Sequence, residues 1–199
     1  MKKITLACLT ALVLNSACTK EEKVLNIGFG SCNEPDQTQH LLPTLNTALD
    51  SLDYFIWLGD NIYLKVGLWN SYDSTMARYT SVFATPVFED LLSKSHHLAI
   101  WDDHDAGPND CDLSNFSGFP TTMRAFKDFW KPDYPQPSTK SYYGRKVLAE
   151  GQVDLFLLDN RSFRTHKDSA NATVFGAEQL NWFQNALNHS TAQVHIICM

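Results

Sequence analysis

Four short apolar runs, each followed at once by a turn rich in polar side chains, constrain this chain more than any other feature of its sequence. The runs cover 24–29, 54–58, 97–101 and 153–158, and the turns after them read GSCN, GDNIY, DDHDAGPND and DNR. Near-continuous apolar runs of this length are typical of parallel strands that are buried on both faces. The carboxyl ends of such strands lie along one edge of a sheet, so we expect the four turns to bring their polar side chains together.

Amphipathic segments lie between the apolar runs. Leucines recur at helical spacing within 37–51, and Pro43 then falls in the first turn of that helix. Further helices are predicted over 71–83, 87–94, 121–130 and 177–188. The alternation of strands and helices favours the α/β class, and 199 residues with 44% hydrophobic content suit one domain.

The first eighteen residues predict a targeting segment, 1–18. Two lysines open it, residues 4–14 are apolar but too short to span a bilayer, and small residues lead into Cys18. The pattern is similar to a bacterial lipoprotein signal, in which Cys18 is lipidated, although Asn15 departs from the usual aliphatic residue and leaves ordinary secretion as the alternative. Residues 19–23 predict a solvated tether. The protein is therefore expected to be exported, either periplasmic or held at the outer membrane by a lipid on Cys18.

The segment WDDHDAGPND concentrates metal-binding side chains directly after an apolar run. It contributes carboxylates, one imidazole and one carboxamide: Asp102, Asp103, Asp105, Asp110, His104 and Asn109. Carboxylates this dense repel one another unless a cation neutralises them, and oxygen ligands around a histidine suit a metal ion. The alternative is a solvated acidic loop, since GPND is ordinary turn chemistry. With a formal net charge of −6, the chain has no excess of basic residues that would bind nucleic acid.

Two earlier turns add further candidate ligands. Asp60 at a strand end and Tyr63 three residues later can converge on one cation, and a phenolate suits ferric iron because it is a hard, anionic donor. The alternative is that Tyr63 packs in the core while Asp60 caps a helix. Cys32 follows the first strand and is a candidate thiolate ligand; its alternative roles are a small buried hydrophobe or the disulfide partner of Cys111.

Five blocks in this order carry a family resemblance. FGSCN, LGDNIY, WDDHDAGPND, LLDNRSFR and GAEQLNWFQNALNHS resemble the PhoD-like alkaline phosphatases of the metallophosphoesterase superfamily, over about 25–199. The resemblance implies a metallophosphoesterase-like sandwich of two sheets flanked by helices. It also implies hydrolysis of phosphomonoesters or phosphodiesters by a metal-bound hydroxide.

The same resemblance implies an iron and calcium centre. Carried over by position, Cys32, Asp60 and Tyr63 would bind iron, while Asp102 or Asp103 would hold calcium together with Asn109. The choice between the two aspartates stays open, and zinc or manganese is less favoured because thiol and phenol ligands occur together.

Three other side chains are expected to act on the phosphate ester. His104 can protonate the leaving alkoxide or hydrogen-bond the phosphate, and orienting a neighbouring carboxylate is its alternative role. Arg161 and Arg164 follow the fourth apolar run and can clamp phosphate by bidentate hydrogen bonds, with surface or ion-pair roles as the alternative. Trp69 is a candidate for the wall of a substrate pocket.

The family has a late block bearing histidine and aspartate ligands that does not occur in this sequence. Residues 193–199 are predicted to be a buried strand. We therefore expect 24–199 to be the N-terminal part of a PhoD-like domain, a fragment with little or no activity alone. The alternative is a non-catalytic surface lipoprotein that retains the fold and binds a metal or another ligand.

Overall fold

The computed structural model describes residues 24–34, 41–48 and 52–199. The predicted signal segment 1–18, the lipidation site Cys18 and the tether 19–23 lie outside the described residues. None of the described helices is long and apolar enough to cross a membrane.

Within the described residues, six strands form two sheets of three strands each. The strands are β1 Ile27–Gly30, β2 Tyr54–Leu58, β3 His96–Ile100, β4 Gly144–Leu148, β5 Val153–Leu157 and β6 Val194–Cys198. In the first sheet β1, β2 and β3 are parallel and adjacent in chain order. In the second sheet β5 is central, with β4 antiparallel and β6 parallel to it. The predicted α/β class is confirmed.

Four predicted helices are confirmed with boundaries that differ by one or two residues, and the predicted helix 37–51 is helical over the part that the structure describes, 41–48. They are α1 Leu41–Ala48, α2 Tyr72–Phe83, α3 Pro86–Lys94, α5 Phe119–Trp130 and α6 Gly176–Asn188; a further short helix, α4, spans Asp103–Ala106. Pro43 is the third residue of α1 as described, and proline is also the first residue of α3 and the second residue of α5. Proline suits the first turn of a helix because the amide it lacks would have no helical partner there.

The four apolar runs are strands, but they belong to two sheets instead of one. An apolar run indicates that a strand is covered on both faces, but it does not indicate which sheet the strand belongs to. Both β2 and β5 are central strands, and they lie in different sheets. The prediction that 193–199 is a buried strand is wrong for most of its length. Within β6, Val194 is 50% and Ile197 46% exposed, because only β5 pairs with it among the described strands.

An aromatic core fixes the first sheet against α2, α3 and α5. The Trp57 ring of β2 meets Phe83 edge-on, with 5.1 Å between ring centroids. The Trp57 indole also donates a hydrogen bond of 3.0 Å to Nδ1 of His97 on β3. Burial lowers the pKa of His97 to about 4, so its ring stays a neutral acceptor at physiological pH. Rigid packing of β2 and β3 fixes where their carboxyl ends place the following turns.

Candidate functional site

The turn after β2 has two consecutive residues in the left-handed region. Gly59 has φ 94° and Asp60 has φ 52°. A Cβ on Gly59 would lie 2.6 Å from Cβ of Asp102, so glycine is needed both for the turn and for the approach of the next strand end. The strained turn directs Asp60 toward the residues that follow β3.

The turn after β1 is joined to this turn by backbone hydrogen bonds. The amide of Cys32 donates to the Gly59 carbonyl at 3.2 Å, and the Asn33 amide donates to the Asp60 carbonyl at 2.8 Å. Cys32 is exposed, while Cys111 and Cys198 are buried, and all three are free thiols. The alternative disulfide between Cys32 and Cys111 is therefore not formed, and the strand ends of the first sheet meet as the sequence predicts.

Asp60, Asp103 and His104 form one compact group. Each offers a donor atom, and these atoms lie within 4.8 Å of one another. The Asp60 carboxylate accepts hydrogen bonds from the Tyr63 hydroxyl at 3.0 Å and from the His104 amide at 3.3 Å. The Tyr63 ring lies over the His104 ring with 4.2 Å between centroids. The predicted iron-side residues Asp60 and Tyr63 are thus in direct contact.

The two carboxylates of this group have opposite pKa shifts. Burial and the nearby charge of Asp103 raise the pKa of Asp60, against the hydrogen bond from Tyr63. Burial also opposes ionisation of Asp103, but the Asp110 amide and the Arg161 charge outweigh it and lower its pKa. Burial and the Asp60 charge raise the pKa of the Tyr63 phenol above its ordinary value. Without a cation, ionising Asp60 therefore costs free energy.

Arg161 supplies the positive charge next to this group. Its Nε hydrogen-bonds the Asp102 carboxylate, and its terminal nitrogen lies 3.7 Å from an oxygen of Asp103. The guanidinium also donates to the Cys111 carbonyl at 3.3 Å, and the side chain is buried. Although burial opposes its charge, the bond to Asp102 raises the pKa of Arg161. The ion-pair role, which the sequence left open beside phosphate binding, is the one visible here.

Other predicted site residues lie around this group. Asp102 faces Arg161, whereas Asp103 belongs to the compact group. Asn109 is exposed and its amide donates to Asp110 at 2.7 Å. Arg164 is half-buried, and its backbone bonds to Arg161 and Leu113.

The donor set fits a hard cation. Two carboxylates and an imidazole are within reach of one another, and a phenol contacts one of the carboxylates. Oxygen and nitrogen donors of this kind suit calcium, iron or manganese, and a cation would relieve the repulsion that raises the pKa of Asp60.

Asp105 is among the metal-binding side chains that the sequence predicts, but the structure buries it behind the compact group, where it bonds to residues that the sequence did not single out. The Asp105 carboxylate, fully buried, accepts hydrogen bonds from the Tyr79 hydroxyl at 2.7 Å and from the backbone amides of Asn61 and Asp102. Asn61 also bonds the Ile100 carbonyl through its side-chain amide at 3.0 Å. The strand-end turns contain Asn61 and Asp105, but nothing in the periodicity of α2 distinguishes Tyr79 from an ordinary core aromatic.

Asp105 makes the stability of the metal-free protein depend on pH. Burial raises the pKa of Asp105 from 3.8 to about 7, against the hydrogen bonds from Tyr79 and the backbone. The folded state then binds this proton more tightly than the unfolded state, so the contribution is fully present below pH 4 and is lost as the pH rises through 7. We expect a loss on the order of 4 kcal/mol, at 1.36 kcal/mol for each pKa unit.

The measurement is urea unfolding with a chelator present, at pH 5 and pH 7.5, of the natural protein and of Asp105→Asn. The variant has no carboxyl group to titrate, so its free energy of unfolding should change much less between the two values. Both proteins retain His97, whose lowered pKa acts in the opposite direction, so their difference isolates Asp105. Parallel pH profiles would contradict the raised pKa.

A large cavity adjoins the compact group. It has a volume of about 1040 Å³, and Tyr63, His104 and Asn109 form part of its wall. Trp69 is buried in the same wall, as the sequence suggested, and its indole donates to the His104 carbonyl at 3.2 Å. A ligand held at the group can therefore extend into this space.

The chain is similar in fold to a solved protein structure. No protein-family model matches the chain, and no curated protein matches it. A solved structure titled "Structure of PhoD" matches with a TM-score of 0.70 over 87% of this chain, at 17% sequence identity. The fold is PhoD-like. At this identity the likeness concerns the fold alone, and the matched region is 41% of the length of that PhoD chain.

The PhoD-like fold accounts for the second sheet. The predicted two-sheet arrangement is confirmed, with β1 to β3 in one sheet and β4 to β6 in the other. The turn after β5 reaches the first sheet, where the Trp101 indole donates to the Asp159 carboxylate at 2.7 Å. The fold therefore brings strand ends of both sheets to one place.

Proposed function

We propose that this protein is a metal-dependent phosphoester hydrolase of the PhoD-like alkaline phosphatase type. The observation that carries the proposal is the meeting of Asp60, Asp103 and His104 at strand ends, within 4.8 Å of one another and beside a large cavity. The PhoD-like fold and the five sequence blocks support it.

The proposed cofactors are iron and calcium, with zinc or manganese less favoured. Iron would be held by Cys32, Asp60 and Tyr63, and calcium by Asp103 and Asn109. Asp102 instead forms an ion pair with Arg161. When bound, such cations polarise phosphate oxygens and lower the pKa of a coordinated water.

The protein side chains supply positioning and proton transfer. We propose that the His104 imidazole protonates the leaving alkoxide oxygen, because His104 belongs both to the compact group and to the cavity wall. The Tyr63 ring and the Asp60 carboxylate hold the His104 ring and backbone in position. Arg161 and Arg164 are the arginines that we propose to bind phosphate oxygens, since Arg161 is already next to Asp103.

The test is hydrolysis of 4-nitrophenyl phosphate and bis(4-nitrophenyl) phosphate by the chain, first stripped with a chelator and then given iron with calcium. Turnover that appears only with metal supports the proposal, and the two substrates separate monoesterase from diesterase activity. Zinc and manganese serve as comparison ions. A low rate counts as turnover if it depends on metal, whereas tight metal binding with no turnover above that of the stripped chain would favour the non-catalytic alternative, a surface protein that binds metal.

The proposed location is outside the cytoplasm. Lysines at the start, the apolar segment 4–14 and Cys18 support export with a lipid anchor, or secretion if Cys18 is not modified. Phosphate esters are the proposed partners, and the acidic net charge of −6 disfavours nucleic acid.

A further inference from the structure

The cavity beside His104 has charged lining residues, Glu34, Lys65 and Arg78, and also a large apolar part that the chemistry at phosphorus does not require. The loop between Tyr63 and α2 forms one side of it and α2 forms another. Its apolar lining residues are Leu64, Val66, Leu68, Trp69, Ala77 and Pro108. A bare phosphate is much smaller than this space of about 1040 Å³. The cavity is at the upper end of the range of roughly 300–1,000 Å³ that is usual for small-molecule sites.

Two large apolar side chains, two residues apart in the sequence, are exposed in this loop. Val66 is 95% and Leu68 40% exposed, and both line the cavity. Exposed apolar groups that line the same cavity are typical of a surface that is covered when a ligand binds. Packing within the described residues does not explain why these two apolar side chains are in the loop, whereas a ligand that covers them would.

The loop is held in a fixed position relative to His104. The Trp69 indole donates to the His104 carbonyl at 3.2 Å, and Nε of Arg78 donates to the Tyr63 carbonyl at 2.8 Å. Between these points the Leu68 amide donates to the Lys65 carbonyl at 3.2 Å, in a turn where Gly67 has φ 88°. One end of the loop is thus tied to His104 and the other end, at Tyr63, is tied to α2, so the cavity is preorganised.

We propose that this cavity binds the alcohol moiety of the phosphoester and selects bulky apolar alcohols, aryl or long alkyl, over small polar ones. The inference rests on the proposed function, because the phosphate would occupy the compact group. His104 is shared by the group and the cavity wall, so a group bonded to that phosphate enters the space lined by Val66, Leu68 and Trp69. Burial of apolar surface against these side chains supplies the selectivity.

The experiment measures binding, so it does not depend on turnover. Benzylphosphonate and methylphosphonate share a non-hydrolysable head group and differ in the apolar part, and calorimetry gives the Kd of each for the protein loaded with iron and calcium. We expect benzylphosphonate to bind on the order of tenfold more tightly. The double variant Val66→Ser, Leu68→Ser should remove most of this preference and leave the Kd of methylphosphonate unchanged.

Val24→Ser is the matched control, because Val24 is also exposed, at 73%, and does not line the cavity. It should keep the preference for benzylphosphonate. Equal affinity for the two phosphonates, no binding of either, or a preference that persists in the double variant would each overturn the inference. Turnover of 4-nitrophenyl phosphate with equal phosphonate affinities would overturn it while the hydrolase proposal stands. Tighter binding of benzylphosphonate without any turnover would support the proposed role of the cavity and contradict the proposal that the protein is a hydrolase.

Discussion

Replacing Asp159 by alanine is expected to lower the free energy of unfolding by about 3–5 kcal/mol. The fully buried carboxylate accepts five hydrogen bonds: from the Trp101 indole, from the backbone amides of Tyr142, Arg161 and Ser162, and from the Ser162 hydroxyl. Truncation would leave several of these donors buried without acceptors, and each such group costs about 1–3 kcal/mol. The bond to Trp101 also joins the end of β3 to the turn after β5, so the loss would loosen the second sheet from the first.

Urea unfolding of Asp159→Ala and of a surface control checks this result. Asp168→Ala is the control, since the Asp168 side chain is 68% exposed and pairs with Lys167 on the surface. An exposed pair of this kind contributes about 0–1 kcal/mol. For Asp159→Asn, the loss in free energy of unfolding should lie between the losses for these two variants. The asparagine side chain keeps one acceptor oxygen, but its NH₂ group faces hydrogen-bond donors. A loss for Asp159→Ala no larger than that of the control would show that the network contributes little.

Apolar periodicity predicted the strands but not their assignment to sheets. β2 and β5 have nearly the same pattern and are both central, so sequence alone could not separate them. The unpredicted β4 reads GRKVL and has three half-exposed or exposed positions between its buried ends, which is too weak a signal against a loop. Its antiparallel pairing with β5 depends on the path of the chain, and no local pattern encodes that path.

The candidate site was predictable where its residues lie in the strand-end turns. Asp60, Tyr63, Asp103 and His104 come together because parallel strands end at one edge of a sheet. The supporting contacts were not predictable, since they join distant segments. Gln179 of α6 is an example: its side chain bonds both the amide and the carbonyl of Asp159, at 2.7 Å each.

Asp60→Asn is expected to abolish metal-dependent function without destabilising the metal-free protein. Burial and the charges of Asp103 and Asp102 raise the pKa of Asp60, so a neutral side chain relieves repulsion in the absence of a cation. Asparagine also tolerates the left-handed backbone at φ 52°. With a chelator present, we therefore expect unfolding free energy equal to that of the natural protein, or up to about 1 kcal/mol higher.

Addition of metal should stabilise the natural protein much more than Asp60→Asn. In the natural protein, metal at about 100 times its Kd adds roughly 2.7 kcal/mol to the free energy of unfolding, whereas Asp60→Asn should gain little. Phosphoester hydrolysis should fall at least about 100-fold, since loss of partners behind a metal ligand alone costs roughly 10- to 100-fold. Calorimetric metal titration, thermal unfolding and hydrolysis of 4-nitrophenyl phosphate measure these effects.

Asp110→Asn is a close control for this substitution. Asp110 also has a left-handed backbone, at φ 56°, and its side chain is exposed outside the compact group. Its amide still donates to Asp103 after the change, so the group itself is preserved. If both variants lost metal binding equally, the general negative charge of this loop would attract the cation, and Asp60 would have no specific role. If only Asp60→Asn loses metal binding, Asp60 must be a specific metal ligand, because the two substitutions remove the same charge from similar backbone conformations.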